Sequence, residues 1–299
     1  MKRPGRRRPS PATVFFALLS LALAIALYVG TRPPAGKAPP APPPRATRAA
    51  PTRSRTASPP LAHRATPGPD RTRPGASQGV PRVAIVIDDL GNELAPAERI
   101  ASWKVPIAGA VLPDLRWSAA SAEALSRGGK EVLLHLPMEP EGYPRVRPGP
   151  GLVLRSQSDA EIERLLENDL ATVPGAVGVN NHMGSAATAD ARVMRAVARV
   201  LARRGLFFLD SRTTDATVAE KAAEEASVRA TSRRVFLDDA PNEDAIRGQL
   251  AELVRRAKEE GDAVAIGHPY PVTLFVLERD LPRLSDQGVK LVKVSELVR

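Results

Sequence analysis

The sequence predicts an α/β domain built as an irregular (β/α) barrel of seven or eight parallel strands, placed behind an apolar N-terminal segment and a linker. From Arg82 onward, short apolar runs alternate with stretches of helical period, and the first run, 83–87, is apolar at every position. Continuous apolarity is typical of a strand covered on both faces, and regular alternation predicts parallel strands joined by helices. With so many strands in 218 residues, a barrel is favoured over the alternative, an open sheet.

The predicted elements follow one another without a break. The strands are expected at 83–87, 107–112, 131–136, 176–179, 206–209, 234–237, 263–266 and 290–294. The helices are expected at 93–102, 118–127, 159–172, 189–203, 215–226, 242–260 and 272–285. In a barrel and in an open sheet alike, ligands bind at the C-terminal ends of the strands, so polar residues at those ends are the candidates for function.

Residues 1–30 have the pattern of a membrane anchor. Five Lys and Arg residues within 2–8 precede an uncharged run of 18 residues, 13–30. That length is at the low end of the ~17–25 residues of a transmembrane helix and exceeds the core of a signal peptide. The basic cluster is expected to stay cytoplasmic. We therefore predict a single-pass protein of the bacterial inner membrane with its C-terminal domain exported to the periplasm; a cleaved and secreted form is the alternative.

Residues 31–81 are predicted to be a disordered linker. They contain 14 prolines and almost no large apolar side chain, so they cannot bury enough surface to fold. The prolines favour an extended spacer between the membrane and the folded domain, 82–299.

Charge and cysteine content exclude several classes of function. Residues 1–81 hold 14 basic residues against Asp70 alone, whereas 82–299 carry a net charge of −3. A nucleic-acid-binding domain should be basic in its folded part, so no nucleic-acid partner is expected. The chain has no cysteine, which excludes disulfides, iron–sulfur clusters and a thiol nucleophile. Any metal must be held by histidines and carboxylates.

Polar residues follow the predicted strands at similar depth. Of the four histidines, three come directly after an apolar strand, as do three aspartates: His135, His182, His268, Asp88, Asp89 and Asp210. Carboxylates and imidazoles suit zinc or a similar divalent ion, and a catalytic site needs about three protein ligands and an open position. Such an ion lowers the pKa of water, from which a neighbouring carboxylate can take a proton. The inventory indicates metal-assisted hydrolysis.

Structural explanations compete with this interpretation. Asp88 and Asp89 can form a turn and cap the helix that follows. Asp210 and Arg212 can be a structural ion pair, and the adjacent asparagines 180 and 181 can bond loop backbone. The pair at 238 and 239 is better explained by capping or by surface exposure. A serine triad is disfavoured because neither Ser185 nor Ser211 lies in a nucleophile elbow.

Five segments together resemble the divergent polysaccharide deacetylase family. They read VAIVIDDLG at 83–91, LLHLPMEP at 133–140, GVNNHMGS at 178–185, FLDSRT at 208–213 and IGHP at 266–269. The resemblance covers nearly all of 82–299. It implies a deformed (β/α) barrel like that of the polysaccharide deacetylases, which remove acetyl groups from polysaccharides or peptidoglycan with a divalent metal.

The resemblance also implies roles. Asp88 matches the catalytic base, Asp89 the metal-binding carboxylate and His268 the histidine acid. The chain departs from the better-known deacetylases in the second motif, where Glu139 stands in place of a second metal-binding histidine. His182 can supply the missing ligand, so the expected ligand set is Asp89, His135 and His182, with Glu139 as a secondary candidate.

The main hypothesis is therefore a metal-dependent hydrolase that removes acetyl groups from an envelope carbohydrate, with zinc as the expected ion. Asp210 is a further catalytic candidate, and Arg212, Asn181 and Tyr270 are candidates for substrate binding. An inactive glycan-binding scaffold is the main rival, and a hydrolase of other esters or of phosphates is a third possibility.

Overall fold

A computed structural model describes residues 79–299. The predicted anchor at 1–30 and nearly all of the predicted linker at 31–81 lie outside the described residues. Within the described range, no helix combines the length and the apolar character needed to cross a membrane. The first strand begins at Arg82.

The described residues form one sheet of parallel strands. These are β1 (Arg82–Leu90), β2 (Ala108–Val111), β3 (Glu131–Met138), β4 (Ala176–Met183), β5 (Phe207–Asp210), β6 (Ala230–Ser232), β7 (Val235–Phe236), β8 (Asp262–Gly267) and β9 (Lys290–Leu291). Eight of them lie side by side in the order β6-β5-β4-β3-β2-β1-β8-β7, and the short β9 pairs with the first residues of β1. The sheet is a parallel half-barrel, which confirms the predicted class.

Helices connect successive strands, except between β6 and β7. They are α1 (Ala95–Ser102), α2 (Ser118–Arg127), α3 (Asp159–Thr172), α4 (Ala191–Arg204), α5 (Ala219–Glu225), α6 (Glu243–Glu260) and α7 (Pro271–Asp280). The predicted helices 118–127 and 159–172 have the observed bounds. The predicted helix 272–285 was too long. After Asp280 the chain continues as a 3-10 helix, Leu281–Gln287, and its second residue, Pro282, cannot donate the backbone hydrogen bond that would extend α7.

The sheet differs from the prediction at its two edges. The expected strand 234–237 is only the two-residue β7, and β6, which was not predicted, pairs with β5 on the opposite edge. Only Arg233 and Arg234 separate β6 from β7. The chain therefore leaves one edge of the sheet and joins the other within two residues, which curls the sheet towards a barrel, although no ladder between β6 and β7 closes it among the residues described.

Two apolar clusters lie on the two faces of the curved sheet. The outer cluster joins Val83, Ile85 and Ile87 of β1 to the apolar faces of the helices. The inner cluster fills the concave side with alternate strand residues, such as Ala84 and Val86, and with apolar residues of the C-terminal segment 292–298. The interior at this level is a packed core, so a ligand can enter only above it, at the C-terminal ends of the strands.

One buried carboxylate opposes the stability of the fold. Asp169 on α3 has no exposed surface, and neither carboxylate oxygen has a hydrogen-bond partner. Gly151, with φ +69°, approaches so closely that a Cβ there would lie 2.6 Å from Asp169 Oδ1. Burial, with a smaller contribution from the charge of Asp114, raises the pKa of Asp169 to about 8.

We expect Asp169→Asn to stabilise the protein at alkaline pH. The carboxyl group titrates near pH 4 when unfolded, so between pH 4 and 8 the folded state binds more protons and the free energy of unfolding falls as pH rises. The variant should lose this slope and gain a few kcal/mol above pH 8, at roughly 1.4 kcal/mol per unit of pKa shift. Denaturant unfolding between pH 5 and 9 measures it, with the exposed Asp286→Asn as control. An unchanged slope in Asp169→Asn would contradict this account.

Candidate metal and active site

The alternation of side chains along each strand determines which polar residues reach the concave side. Neighbouring side chains of a strand point to opposite faces. In β1, Ala84 and Val86 face the inner cluster, and Asp88 continues this series. In β3, Leu133 faces the inner cluster, and His135 is the next residue of the same parity.

The same rule holds for the other strands that contribute to the site. In β4, Val179 packs in the outer cluster, so Asn180 and His182 face inward. In β8, Val264 and Ile266 are inner residues, and His268 follows them with the same parity. The inner cluster therefore ends, at the C-terminal edge of the sheet, in a layer of polar side chains.

Two of these side chains, His135 and His182, converge on one point with Asp89. Asp89 Oδ1 lies 3.0 Å from His182 Nδ1 and 3.2 Å from His135 Nε2, and the two ring nitrogens are 3.1 Å apart. These three residues form a possible metal site, the one such group found among the described residues. They are the three predicted ligands.

Asp89 reaches this point through an unusual backbone conformation. Its parity would direct it away from the concave side, but its φ of 57° lies in the left-handed region, which few non-glycine residues adopt. Such strain is found at functional sites, where the surrounding structure maintains it. Glycine follows two residues later, at Gly91 with φ +111°, and the chain then turns into α1.

The donor set fits a divalent cation. Asp89 Oδ1 is buried and makes no hydrogen bond of acceptable geometry, although two ring nitrogens lie close to it. Three atoms with lone pairs so close together are better suited to bind a shared cation than to form hydrogen bonds with one another. One carboxylate and two imidazoles are a donor set suited to zinc. Burial opposes ionisation of Asp89, but the contacts with His135 and His182 outweigh it and hold the pKa of Asp89 well below its usual range.

Asp88 lies beside this group without belonging to it. Its side chain is buried, Oδ1 accepts a hydrogen bond from Asn180 Nδ2 at 2.9 Å, and Oδ2 lies 3.5 Å from His135 Nε2. Burial raises the pKa of Asp88, and the charges of His135 and His268 only partly offset this. A carboxylate with a raised pKa is suited to accept a proton near neutral pH.

His268 is held on the other side of Asp89 by a buried aspartate. Its Nδ1 lies 3.0 Å from Asp238 Oδ1, its backbone N–H donates to Asp238 Oδ2, and Thr273 donates to the same oxygen. The other ring nitrogen, Nε2, points into the site, 3.8 Å from Asp89 Oδ2. Burial lowers the pKa of His268, but the hydrogen bond that its ring donates to Asp238 and the charge of Asp88 raise the pKa overall.

Two predicted site residues take structural positions instead. Asp210 has the parity of Phe208, which packs in the outer cluster, and its carboxylate accepts hydrogen bonds from the Arg212 N–H and the Thr217 hydroxyl. Asn181 has the parity of Val179 and is 1% exposed; its amide bonds the Ser211 N–H and the Met183 carbonyl. Both side chains brace the loops after β4 and β5 rather than the concave site.

The remaining candidates lie at the edges of the site. Tyr270 is 46% exposed, with its ring centroid 5.7 Å from that of His268, so it is open to a ligand. Arg212 has a φ of 48° and lies 3.7 Å from Asp215 across an exposed turn. Glu139 is engaged by Arg155 through two side-chain hydrogen bonds of 3.1 and 2.9 Å and one backbone N–H, which leaves it outside the candidate metal group.

Two clefts meet at Asp89 and Asn92. One, of about 550 Å³, runs past His268 and Tyr270 towards α1 and α7. The other, of about 260 Å³, runs past His182 to the prolines at 148 and 150. Because the first lies on the β1 and β8 side and the second on the β2 to β4 side, they leave the candidate metal group in opposite directions along the sheet.

Sequence reasoning did not select three residues that the structure places at the site. Asn180, left open between a site role and a loop role, lies between Asp88 and His135, and Asp238, interpreted as a cap or surface residue, holds His268. Arg233 donates to the carbonyls of Ser211 and Arg212 and fixes the loop after β5. The signal that could have found Asn180 is strand parity, because 180 and 182 share a face.

Comparison with known proteins identifies the family of this chain. The family model described as divergent polysaccharide deacetylase matches residues 85–298. The chain belongs to this family. Among curated proteins, it is 39% identical over 218 residues to the uncharacterized protein YibQ of Escherichia coli K12, which covers 73% of this chain and 67% of YibQ. It is 37% identical over 218 residues to an uncharacterized protein of Haemophilus influenzae Rd, over 73% of this chain and 77% of that protein.

A solved structure from the same comparisons supports the fold. The uncharacterized protein ATU2773 of Agrobacterium tumefaciens C58 is 26% identical, with a TM-score of 0.69 over 74% of this chain and 91% of that one. The predicted resemblance to the divergent deacetylases is therefore confirmed. These relatives are themselves uncharacterized, and membership of the family gives the class of protein.

Proposed function

We propose that this divergent deacetylase family member is a metal-dependent hydrolase that removes acetyl groups from a carbohydrate of the bacterial envelope. The observation that carries the proposal is the convergence of Asp89, His135 and His182 on one point, with Asp88 on one side and His268 on the other. Hydrolysis of an acetyl group requires a base, an acid and a site for a cation close together, and this polar layer contains candidates for all three.

The three ligands would be Asp89 Oδ1, His135 Nε2 and His182 Nδ1, with zinc as the ion we expect from this donor set. When bound, a divalent cation supplies Lewis-acid stabilisation of the acyl oxygen and makes water more acidic. The remaining chemistry belongs to side chains of this chain.

Asp88 is the base in this scheme. It takes a proton from the water that attacks the acetyl carbon, and its raised pKa matches this task. Asn180 holds one carboxylate oxygen, which leaves Oδ2, on the His135 side, directed at the site.

His268 is the acid. It donates the Nε2 proton to the departing amine nitrogen or alkoxide oxygen as the bond to the acetyl carbon breaks, so that water and the acetylated sugar become acetate and the free sugar group. Asp238 keeps the ring oriented and stabilises its charged form through Nδ1. This division of labour between two titratable groups resembles other acid and base pairs in hydrolases.

The clefts support a carbohydrate as substrate. They continue from the candidate metal group in both directions, which allows a sugar chain to pass through the site. The exposed ring of Tyr270 stands beside His268, where it can pack against a sugar. The basic and apolar N-terminus supports anchoring in the inner membrane with this domain in the periplasm, next to peptidoglycan and other envelope glycans.

Acetate release tests the proposal. The full-length chain, loaded with zinc, is incubated with oligomers of N-acetylglucosamine, peptidoglycan fragments and O-acetylated polysaccharide, and free acetate is measured. We expect release from at least one substrate, loss of release after chelation and its return when zinc is added. A folded, zinc-loaded protein that binds peptidoglycan but releases no acetate from any of these would favour the glycan-binding scaffold instead.

A further inference from the structure

Asn180 is placed between the proposed base and one of the proposed ligands. Its side chain is fully buried in β4, opposite His135 in the β3–β4 register. Nδ2 donates to Asp88 Oδ1 at 2.9 Å and lies 3.4 Å from Ser211 Oγ, while Oδ1 lies 2.9 Å from His135 Nδ1. One amide therefore contacts both functional groups.

The orientation of this amide follows from Asp88. The NH₂ group of Asn180 faces the Asp88 carboxylate, to which it donates, so the amide oxygen faces His135. Since an amide oxygen only accepts, His135 has to carry its hydrogen on Nδ1. Its Nε2 is then left with a free lone pair, directed at Asp89 and His182.

We propose that Asn180 is a positioning residue that fixes the tautomer of His135 for metal binding and at the same time orients Asp88 for proton transfer. The inference deepens the proposed function and rests on its metal site. It assigns to an amide a role that sequence reasoning left open between function and loop bonding. Partners that hold the second nitrogen of a ligating histidine raise the affinity and precision of metal sites.

Asn181 provides a matched control. It is the adjacent residue, of the same type and equally buried, but its amide bonds only loop groups on the other face of β4. The test compares Asn180→Ala and the volume-filling Asn180→Leu with Asn181→Ala and Asn181→Leu in the full-length chain. Circular dichroism verifies that each variant is folded, and the leucine variants guard against a cavity effect.

Two measurements need no substrate. Competition with a chelating dye gives the zinc affinity, which we expect to fall 10- to 100-fold in both Asn180 variants and to stay at the wild-type value in the Asn181 variants. Long-range ¹H–¹⁵N NMR of ¹⁵N-histidine protein is tractable because the chain has only four histidines. In metal-free wild type at alkaline pH, His135 should show the Nδ1–H tautomer alone, and in the Asn180 variants a mixture with Nε2–H.

The outcomes separate this inference from the proposed function. Folded Asn180 variants that keep both the zinc affinity and the single Nδ1–H tautomer would overturn it, as would equal losses in the Asn181 variants. If wild type releases no acetate, the dye and NMR measurements still decide the role of Asn180. If wild type binds no zinc, the metal-binding part of the inference fails together with the proposed function, and the tautomer then decides only whether Asn180 orients His135. With acetate release, the zinc-saturated Asn180 variants should lose 10- to 100-fold in kcat with little change in KM.

Discussion

Asp88→Asn is expected to lower kcat for acetate release by about 10²- to 10⁴-fold while the zinc content stays at the wild-type value. The change removes the only group that Asp88 contributes to proton transfer, but it keeps the shape of the side chain and its ability to accept from Asn180 Nδ2. The zinc content should not change, because the three proposed metal-binding atoms belong to Asp89, His135 and His182 and not to Asp88. Acetate release and metal analysis on the same preparation measure both effects.

Asp210→Asn is the matched control for this variant. Asp210 is also a buried aspartate at a strand end, but its carboxylate bonds the loop after β5. We expect Asp210→Asn to lower stability modestly and to keep most of the activity. Equal losses of kcat in the two variants, or full activity in Asp88→Asn, would show that Asp88 is not the base.

His268→Gln should have an effect that depends on the leaving group. An N-acetylated sugar leaves as an amine and needs a proton, so we expect a loss of about 10²- to 10⁴-fold in kcat. An aryl acetate with a stable phenolate leaving group needs little protonation, and its hydrolysis should fall far less. Comparing the two substrates in wild type and variant isolates the acid step. Equal losses on both substrates would instead assign His268 to binding or to the metal site.

The pH dependence of acetate release gives a second measure of the same group. The pKa of His268 is raised by Asp238 and Asp88, against the effect of burial, and an acid acts only while protonated. Activity should therefore persist into the neutral range and fall as pH rises through this raised pKa. Asp238→Asn removes the hydrogen-bonded charge, so its alkaline limb should move to lower pH. An alkaline limb unmoved by this change would contradict the proposed partnership.

The sequence predicted the class of fold because the signals were strong and local. Alternating apolar runs and helical periods predicted six of the nine strands closely, and the helices at 118–127 and 159–172 in full, whereas β7 and β9 are each only two residues long. β6 escaped prediction because Ala230, Thr231 and Ser232 carry no apolar run. The pairing of β5 with β6 and of β7 with β8 is a long-range property that three- and two-residue strands do not encode locally.

The candidate site was predicted where residue type and strand position agree. His135, His182 and Asp89 lie together as expected, and Asp88 and His268 lie on either side of them. Position at a strand end was, however, too coarse a criterion for Asp210 and Asn181. Each is one residue out of phase with the inner face, and a shift of one residue moves a side chain to the opposite side of the sheet.

Position at a strand end also failed to select Asp238, which does belong to the site. It follows a strand of two residues, so no apolar alternation marks its face, and an aspartate ahead of a helix looks like a cap. Its burial and its contacts with His268 and Thr273 appear only once β7 pairs with β8. Asp89 could not be placed by parity either, because its left-handed backbone reverses the direction of its side chain.

The metal content of the purified full-length protein is the most direct test of the proposed zinc site. Wild type is compared with a triple variant, Asp89→Ala, His135→Ala and His182→Ala, after both are shown to be folded and are exposed to the same zinc concentration. We expect about one zinc per wild-type chain and none in the variant. A folded wild-type protein that takes up no divalent ion, or a variant that binds as much as wild type, would contradict it.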